Sequence, residues 1–263
     1  GSFSMILIFR KYGMIALRDQ KGLHPLFYGS LKNEEDEAAV EHLIGSETVL
    51  FDGPYEEVQP GQCVIFPLQE KMLITIDSFV MSHISCLLEY MYIAGNNSIW
   101  NNISIYHAKI EMGRLLGKRI APYCGCIHKF PKFDCIVPLS DNSRIYAISV
   151  QEILQVPLRD GIVVDMQGKR TFIESIFKYK SILLIDDGLV KGIAPVSIVQ
   201  QIKNFDPTHL YVASIAPKIH RLCPYGKSVC TEERMHILNE QIEELRDMNV
   251  PIIYNDLSLI LRM

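Results

Sequence analysis

Ser181-Ile182-Leu183-Leu184-Ile185-Asp186-Asp187-Gly188-Leu189-Val190-Lys191-Gly192-Ile193-Ala194 reads as a buried strand, an acidic pair, a glycine-flanked turn and the start of a helix. Four consecutive apolar residues, Ile182 to Ile185, suit a strand covered on both faces, as in a parallel sheet. Ile198, Val199, Ile202 and Phe205 then recur at helical spacing, with Pro195 in the first turn, where a missing N–H is tolerated. This layout puts Asp186 and Asp187 at the carboxyl end of a strand, where open α/β sheets bind ligands. Just behind them, the free N–H groups of a helix start favour a phosphate. Carboxylates for ribose hydroxyls or Mg²⁺, next to a phosphate cradle, suit a sugar phosphate. Taken alone, an acidic pair after a strand is more often a solvated loop or a helix cap.

The rest of the composition narrows the class. The 263 residues suffice for one large domain or two small ones. Hydrophobic content of 48% with 21% charged residues is that of a globular chain rather than a disordered one. A net charge of −4 without a long basic run gives no footprint for nucleic acid. No apolar stretch approaches membrane-spanning length. Seven cysteines at irregular spacing point to reduced thiols in a cytoplasmic protein. Gly1-Ser2-Phe3-Ser4 reads as a remnant before a native start at Met5.

Texture divides the chain in two. Residues 5–85 are β-rich, with short apolar runs at Met5–Phe9, Gly13–Leu17, Leu26–Tyr28 and Cys63–Phe66 separated by Gly and Pro. Asn33-Glu34-Glu35-Asp36-Glu37 reads as a solvated loop or helix start. Residues 86–263 alternate helices and strands. Ile105, Ala108, Met112, Leu115 and Leu116 mark one helix face, and Ile145–Leu154 and Pro195–Phe205 are further helices. Cys135–Leu139, Ser181–Ile185 and Leu210–Ile215 are strands, and Thr231 is an N-cap with Glu232 and Glu233 in its first turn. Alternation of this kind predicts a mostly parallel sheet flanked by helices.

Several strings, in order, resemble the glutamine phosphoribosylpyrophosphate (PRPP) amidotransferase family. Residues 13–29, with Ala16-Leu17-Arg18-Asp19 and Gly22-Leu23-His24-Pro25-Leu26, are similar to a stretch of its glutaminase domain. Gly45-Ser46-Glu47-Thr48 and Val58-Gln59-Pro60-Gly61 are similar to later parts of that domain, and Cys86–Ala94 to the join between domains. Pro138-Leu139-Ser140-Asp141-Asn142-Ser143, Arg170-Thr171-Phe172-Ile173, the opening string and Cys223-Pro224-Tyr225-Gly226 complete the set. The resemblance implies a type I phosphoribosyltransferase fold over 86–263, preceded by a β-rich remnant of an N-terminal nucleophile glutaminase domain. It implies that Asp186, Asp187 and Arg170 are catalytic. Gly188, Leu189, Val190, Lys191, Gly192, Ile193 and Ala194 would hold the phosphate of PRPP, and Asn142, Asp186 and Asp187 would hold Mg²⁺.

The departures from the family pattern bear on activity. No counterpart of the N-terminal cysteine nucleophile is found, so no glutaminase activity is expected. Ile193 and Ala194 replace paired threonines; each hydrogen bond lost to a charged group is worth about 1.5–3 kcal/mol, and two such losses weaken binding by ~100-fold or more. Lys191 replaces an arginine, keeping the charge without the bidentate fork. Gly161–Ile173 corresponds to the family's mobile catalytic loop, with Val164, Asp165, Met166 and Gln167 where the family carries lysine, asparagine, arginine and tyrosine.

Two readings follow. One is an enzyme of purine biosynthesis that transfers ammonia to PRPP with Mg²⁺. The other is a catalytically inactive paralogue, a sensor or regulatory partner that binds PRPP or a purine nucleotide. The family association and the apolar helix near residue 110 point to a homo-oligomer. Cys86 and Cys223 match two ligands of the iron–sulfur cluster that some members carry, but the second pair is missing, so no cluster is expected. Cys124-Gly125-Cys126 with His128, and His220 with Cys223 and Cys230, lack the double Cys-x-x-Cys spacing of a zinc site. Trp100 and the pair Tyr90 and Tyr92 read as packing residues.

Overall fold

The residues described by a computed structural model of the chain are 2–32, 40–68, 72–77, 84–125, 130–188, 194–225 and 231–260. They belong to two compact units, Gly1–Tyr106 and His107–Met263. The acidic run at Asn33–Glu37 lies outside the described residues.

The first unit is antiparallel. Its strands are β1 (Ser4–Phe9), β2 (Gly13–Arg18), β3 (Phe27–Lys32), β4 (Val40–Gly45), β5 (Tyr55–Glu57), β6 (Gln62–Pro67), β7 (Ile74–Asp77) and the short pair β8 (Ile99–Trp100) and β9 (Ile103–Ser104). One sheet has the order β1-β2-β6-β7 and a second β4-β3-β5. Strand alternation sends Ala16, Val64 and Phe66 of the first sheet into a core shared with Tyr28 of the second and with Leu26 and Val58. The Tyr28 and Phe66 rings meet edge to face at 5.6 Å.

The Arg18-Asp19 pair proves to be part of the architecture. The buried Arg18 guanidinium donates to Glu57 Oε1 at 2.6 Å and to the carbonyls of Val58 and Gly22, both at 2.7 Å. Asp19 accepts from the backbone N–H groups of Phe3 and Lys21. Trp100, 1% exposed, donates to the same Glu57 oxygen at 3.2 Å and stacks on Tyr90 with ring centres 4.7 Å apart. Phe3 and Ser4, read from sequence as a remnant, are woven into this fold. Asp19 N–H donates to the Phe3 carbonyl and Ser4 Oγ to the His24 carbonyl. The units divide at Tyr106 and His107, later than the expected boundary after residue 85. Residues 86–106 are tied to the first unit by Gly95 N–H and Ser98 Oγ donating to Glu47 and by the Trp100 bond to Glu57.

The second unit carries α1 (Ile105–Ile120, from His107 on), β10 (Cys135–Pro138), α2 (Asp141–Leu154), β11 (Ile162–Val164), β12 (Arg170–Phe172), α3 (Glu174–Phe177), β13 (Ser181–Asp186), α4 (Ala194–Lys203), β14 (His209–Ser214), α5 (Glu232–Asp247), β15 (Ile252–Tyr254) and α6 (Leu257–Ile260). The strands β10-β13-β14-β15 form a sheet in that order, every pair parallel. All six residues of β13 are buried, as its continuous apolar run required. Val196, Val199 and Ile202 of α4 and Leu238, Ile242 and Leu245 of α5 join one core with Ile182, Leu184 and Val212. Thr231 caps α5, its side chain accepting from Arg234 N–H. On α1, Gly113 and Gly117 allow close approach to α2. A Cβ on Gly113 would stand 2.1 Å from Ser149 Oγ and 2.6 Å from the Tyr146 carbonyl, and one on Gly117 would stand 2.8 Å from Ile153.

The stretch matched to a mobile loop is a regular hairpin. β11 and β12 pair antiparallel, Ile162 with Phe172 and Val164 with Arg170. Asp165 closes the turn, its carboxylate accepting from the N–H groups of Gln167 and Lys169, while Gly168 takes a φ of +80°. A short polar side chain bonding to backbone two and four residues on, with glycine at the left-handed position, is turn chemistry.

Candidate ligand site at the carboxyl end of the parallel sheet

The register of the sheet brings four strand ends together. Leu139 N–H, just past β10, donates to the Ile185 carbonyl. Ile215 and Ala216, just past β14, donate to the carbonyls of Asp186 and Asp187, and Asn255 N–H, past β15, donates to Ser214. The ladder thus continues beyond the strands and fixes the backbone on which the acidic pair stands.

Asp186 and Asp187 differ in surroundings. Asp186 is 6% exposed, and its Oδ2 accepts from Gly188 N–H at 3.2 Å, closing the first turn of the loop. Burial, and then the charge of Asp187 beside it, push the Asp186 carboxyl up to about 7, against the opposing pull of the Gly188 N–H. Asp187 is half-buried, more accessible than its neighbour.

Asn142 sits in the exposed first turn of α2, which leaves β10 at the same end of the sheet. That turn is fixed by a reciprocal cap. Ser140 Oγ accepts from Ser143 N–H at 3.2 Å and Ser143 Oγ accepts from Ser140 N–H at 2.9 Å. Arg170 is exposed beside the turn of the β11–β12 hairpin, opposite Val164, on a different strand from the acidic pair. The structure brings Asp186, Asp187 and Gly188 into one turn and sets the α2 start beside it by strand register. Leu189, Val190, Lys191, Gly192 and Ile193 lie outside the described residues, and Ala194 is the first residue of α4. Of the cysteine sets, Cys126, His128 and Cys230 are outside as well, while Cys86, Cys124 and Cys223 are in no disulfide.

Two neighbours of the site escaped the sequence reading. Tyr146 on α2 is fully buried, and its hydroxyl is pushed well above its ordinary pKa by burial first and by the charge of Asp187 second. A neutral phenol therefore faces the field of the acidic pair. Ser214, fully buried opposite Asp186 in the β13–β14 register, donates to the Ala216 carbonyl. The signal for Tyr146 was its place on the sheet-facing side of a helix, where a phenol among Ala147 and Val150 reads as core.

The donor set suits a hard divalent cation. Paired carboxylates that raise one another's pKa are relieved by positive charge, and oxygen donors match Mg²⁺. Among the described residues no group of three or more His, Cys, Asp or Glu side chains is placed to hold a metal, so amide, water and substrate oxygens would complete such a shell.

No family model matches the chain. It is 28% identical over 273 residues to the amidophosphoribosyltransferase of Escherichia coli and 27% identical over 277 residues to that of Saccharomyces cerevisiae, 94% of this chain in each case. The chain resembles the amidophosphoribosyltransferases.

It spans about half the length of these relatives, 52% of each. The fold agrees with theirs. A glutamine PRPP amidotransferase from B. subtilis, solved with ADP and GMP, superposes with a TM-score of 0.79 at 20% identity, covering 100% of this chain and 59% of its own. A second structure, described as the allosteric regulatory enzyme of purine biosynthesis, gives 0.76 at 21% identity over 95% of this chain and 55% of its own. The expected architecture, a parallel sheet flanked by helices after a β-rich unit, is thus the one found. No helix among the described residues is long and apolar enough to cross a membrane.

Proposed function

We propose that this chain carries a phosphoribosyltransferase site that takes PRPP and ammonia in purine biosynthesis. The single observation that carries the reading is the turn Asp186-Asp187-Gly188 at the carboxyl end of a fully buried parallel strand, immediately before α4. In the reaction the C1–O bond to pyrophosphate breaks, a C1–N bond forms, and the incoming nitrogen sheds a proton. Asp187, half-buried, holds the ribose hydroxyls. Asp186, buried and bonded to Gly188, keeps the turn in shape and adds charge beneath it. The start of α4 receives the 5′-phosphate. Asp187 with Asn142 would hold Mg²⁺, which when bound neutralises pyrophosphate charge. Arg170 supplies a cation from the hairpin. Relatives of the same name over 94% of the chain support this reading. A cytoplasmic setting agrees with the five described cysteines being in no disulfide.

The test is ammonia-dependent release of pyrophosphate from PRPP with Mg²⁺. Turnover is expected in the parent chain, with a loss of at least 100-fold in Asp187→Ala at unchanged circular dichroism. A specific observation favours a second reading, a PRPP- or nucleotide-binding sensor: the stretch matched to the catalytic loop is a closed hairpin with an acid, Asp165, at its turn. Binding of PRPP without turnover would select that reading.

A further inference from the structure

The β11–β12 hairpin leaves the second unit through a narrow neck. Before it, residues 157–159 run along β10 in parallel: Ile136 N–H donates to the Pro157 carbonyl and Arg159 N–H to the Ile136 carbonyl. The chain therefore delivers Asp160 to the carboxyl end of the sheet, the end at which α2 begins. Gly161 follows, and a Cβ there would stand 2.6 Å from the ring of the fully buried Phe177. Ile173 N–H donates to the Gly161 carbonyl and closes the neck. Ile162 and Phe172, the first facing pair, pack on the core, whereas Val163, Val164 and Met166 beyond them are exposed. Apolar packing thus anchors the neck and not the outer part of the hairpin.

A polar contact flanks that neck. Arg144, in the first turn of α2, donates through Nη1 to Asp160 Oδ1, and its Nη2 lies 3.9 Å from Asp141. The guanidinium therefore sits between the α2 start and the root of the hairpin. Asn142 is two residues before Arg144, and Arg170 is carried by β12. We propose that Arg144 is a positioning residue: its bond to Asp160 straps the hairpin to the first turn of α2 and so fixes where Arg170 stands relative to Asn142. The consequence for PRPP rests on the function proposed above. The strap itself does not. Arginine suits the task, because its planar fork can face two carboxylates and stays charged at every working pH. The pair is exposed, 41% for Arg144 and 58% for Asp160, so its contribution is small and open to screening by salt.

Hydrogen exchange of the hairpin amides, followed by mass spectrometry, tests the strap without any ligand. Arg144→Ala and Asp160→Asn are each expected to speed that exchange by about two- to fivefold, the range of an exposed ion pair. The charge-swapped variant, Arg144→Asp with Asp160→Arg, is expected to return the rate toward the parent's. Salt at about 0.5 M is expected to speed the parent and leave Arg144→Ala unmoved, since only a charged pair is screened. Arg114→Ala breaks a comparably exposed ion pair, to Glu111 and Glu152, and is the control that leaves the hairpin unchanged. In a chain that binds PRPP, calorimetry is expected to show about two- to fivefold weaker binding in Arg144→Ala, restored by the charge swap. A chain that binds no PRPP overturns the functional reading, while hydrogen exchange still decides the strap. Hairpin amides indifferent to both single substitutions, no recovery in the charge swap, or PRPP affinity untouched by Arg144→Ala in a chain that binds it would each overturn the proposal.

Discussion

Asp186 and Asp187 are neighbours in sequence with different tasks, and burial is what separates them. Because Asp186 is held at about 7 while an unfolded aspartate titrates near its ordinary value of 3.8, the folded chain binds the extra proton between those limits. The sign follows from linkage: stability from this group is full below about pH 4 and declines as pH rises through about 7. Asp186→Asn keeps an acceptor for Gly188 N–H and removes the charge. The variant is expected to lose this pH slope and to gain ~1–3 kcal/mol over the parent at pH 8, read by chemical denaturation at pH 5 and pH 8. A parent chain more stable at pH 8 than at pH 5, relative to the variant, would contradict it. The acidic pair itself was legible from sequence, because a fully apolar run ending in two acids has few other homes. The difference between the two acids was not. Nothing in the string tells which carboxylate is the more buried and turns back to Gly188.

At the level of elements, α1 approaches α2 closely at two glycines, and there is no room for a side chain at Gly113. An added methyl meets the Tyr146 carbonyl and Ser149 Oγ, neither of which has room to withdraw inside a packed helix pair. Gly113→Ala is expected to destabilise the chain by ~1–3 kcal/mol despite alanine's better helix propensity. A stabilised Gly113→Ala protein in thermal unfolding would show that the helices stand further apart. Because Tyr146 lies beside the acidic pair, the same substitution is also expected to weaken PRPP binding. The loop between β13 and α4 gives the opposite kind of prediction, from sequence. Restoring hydroxyls with Ile193→Thr and Ala194→Thr is expected to tighten PRPP by ~10–100-fold, measured by calorimetry. The buried strands β2, β6, β10, β13 and β14 were legible as apolar runs bounded by Gly or Pro. β5 and β7, with Glu56, Glu57 and Asp77, were not, because pairing rather than apolarity defines them. The β11–β12 hairpin was obscured by its match to a mobile loop, although Asp165 and Gly168 carry the turn signal.

For the molecule as a whole, two kinds of motif emerge from one resemblance. Arg18, Glu57 and Trp100 form a hydrogen-bonded knot within the first unit, and Asp19 bonds to the backbone beside it, so their role is to hold an antiparallel fold. Asp186 ends a strand of the parallel sheet of the second unit, with Asp187 next to it in the turn, and these two are proposed to meet a ligand. The resemblance picked out Arg18 and Asp19 and the acidic pair alike, though not Glu57, and could not separate architecture from chemistry; that distinction lies in burial and hydrogen-bond partners. The central claim is that the second unit still binds PRPP through Asp187. Isothermal titration of the chain with PRPP and Mg²⁺ tests it most directly. The account predicts one saturable site in the micromolar to low millimolar range, lost in Asp187→Ala and weakened when Mg²⁺ is withheld. Absence of any binding heat at millimolar PRPP, from a chain with intact circular dichroism, would contradict it.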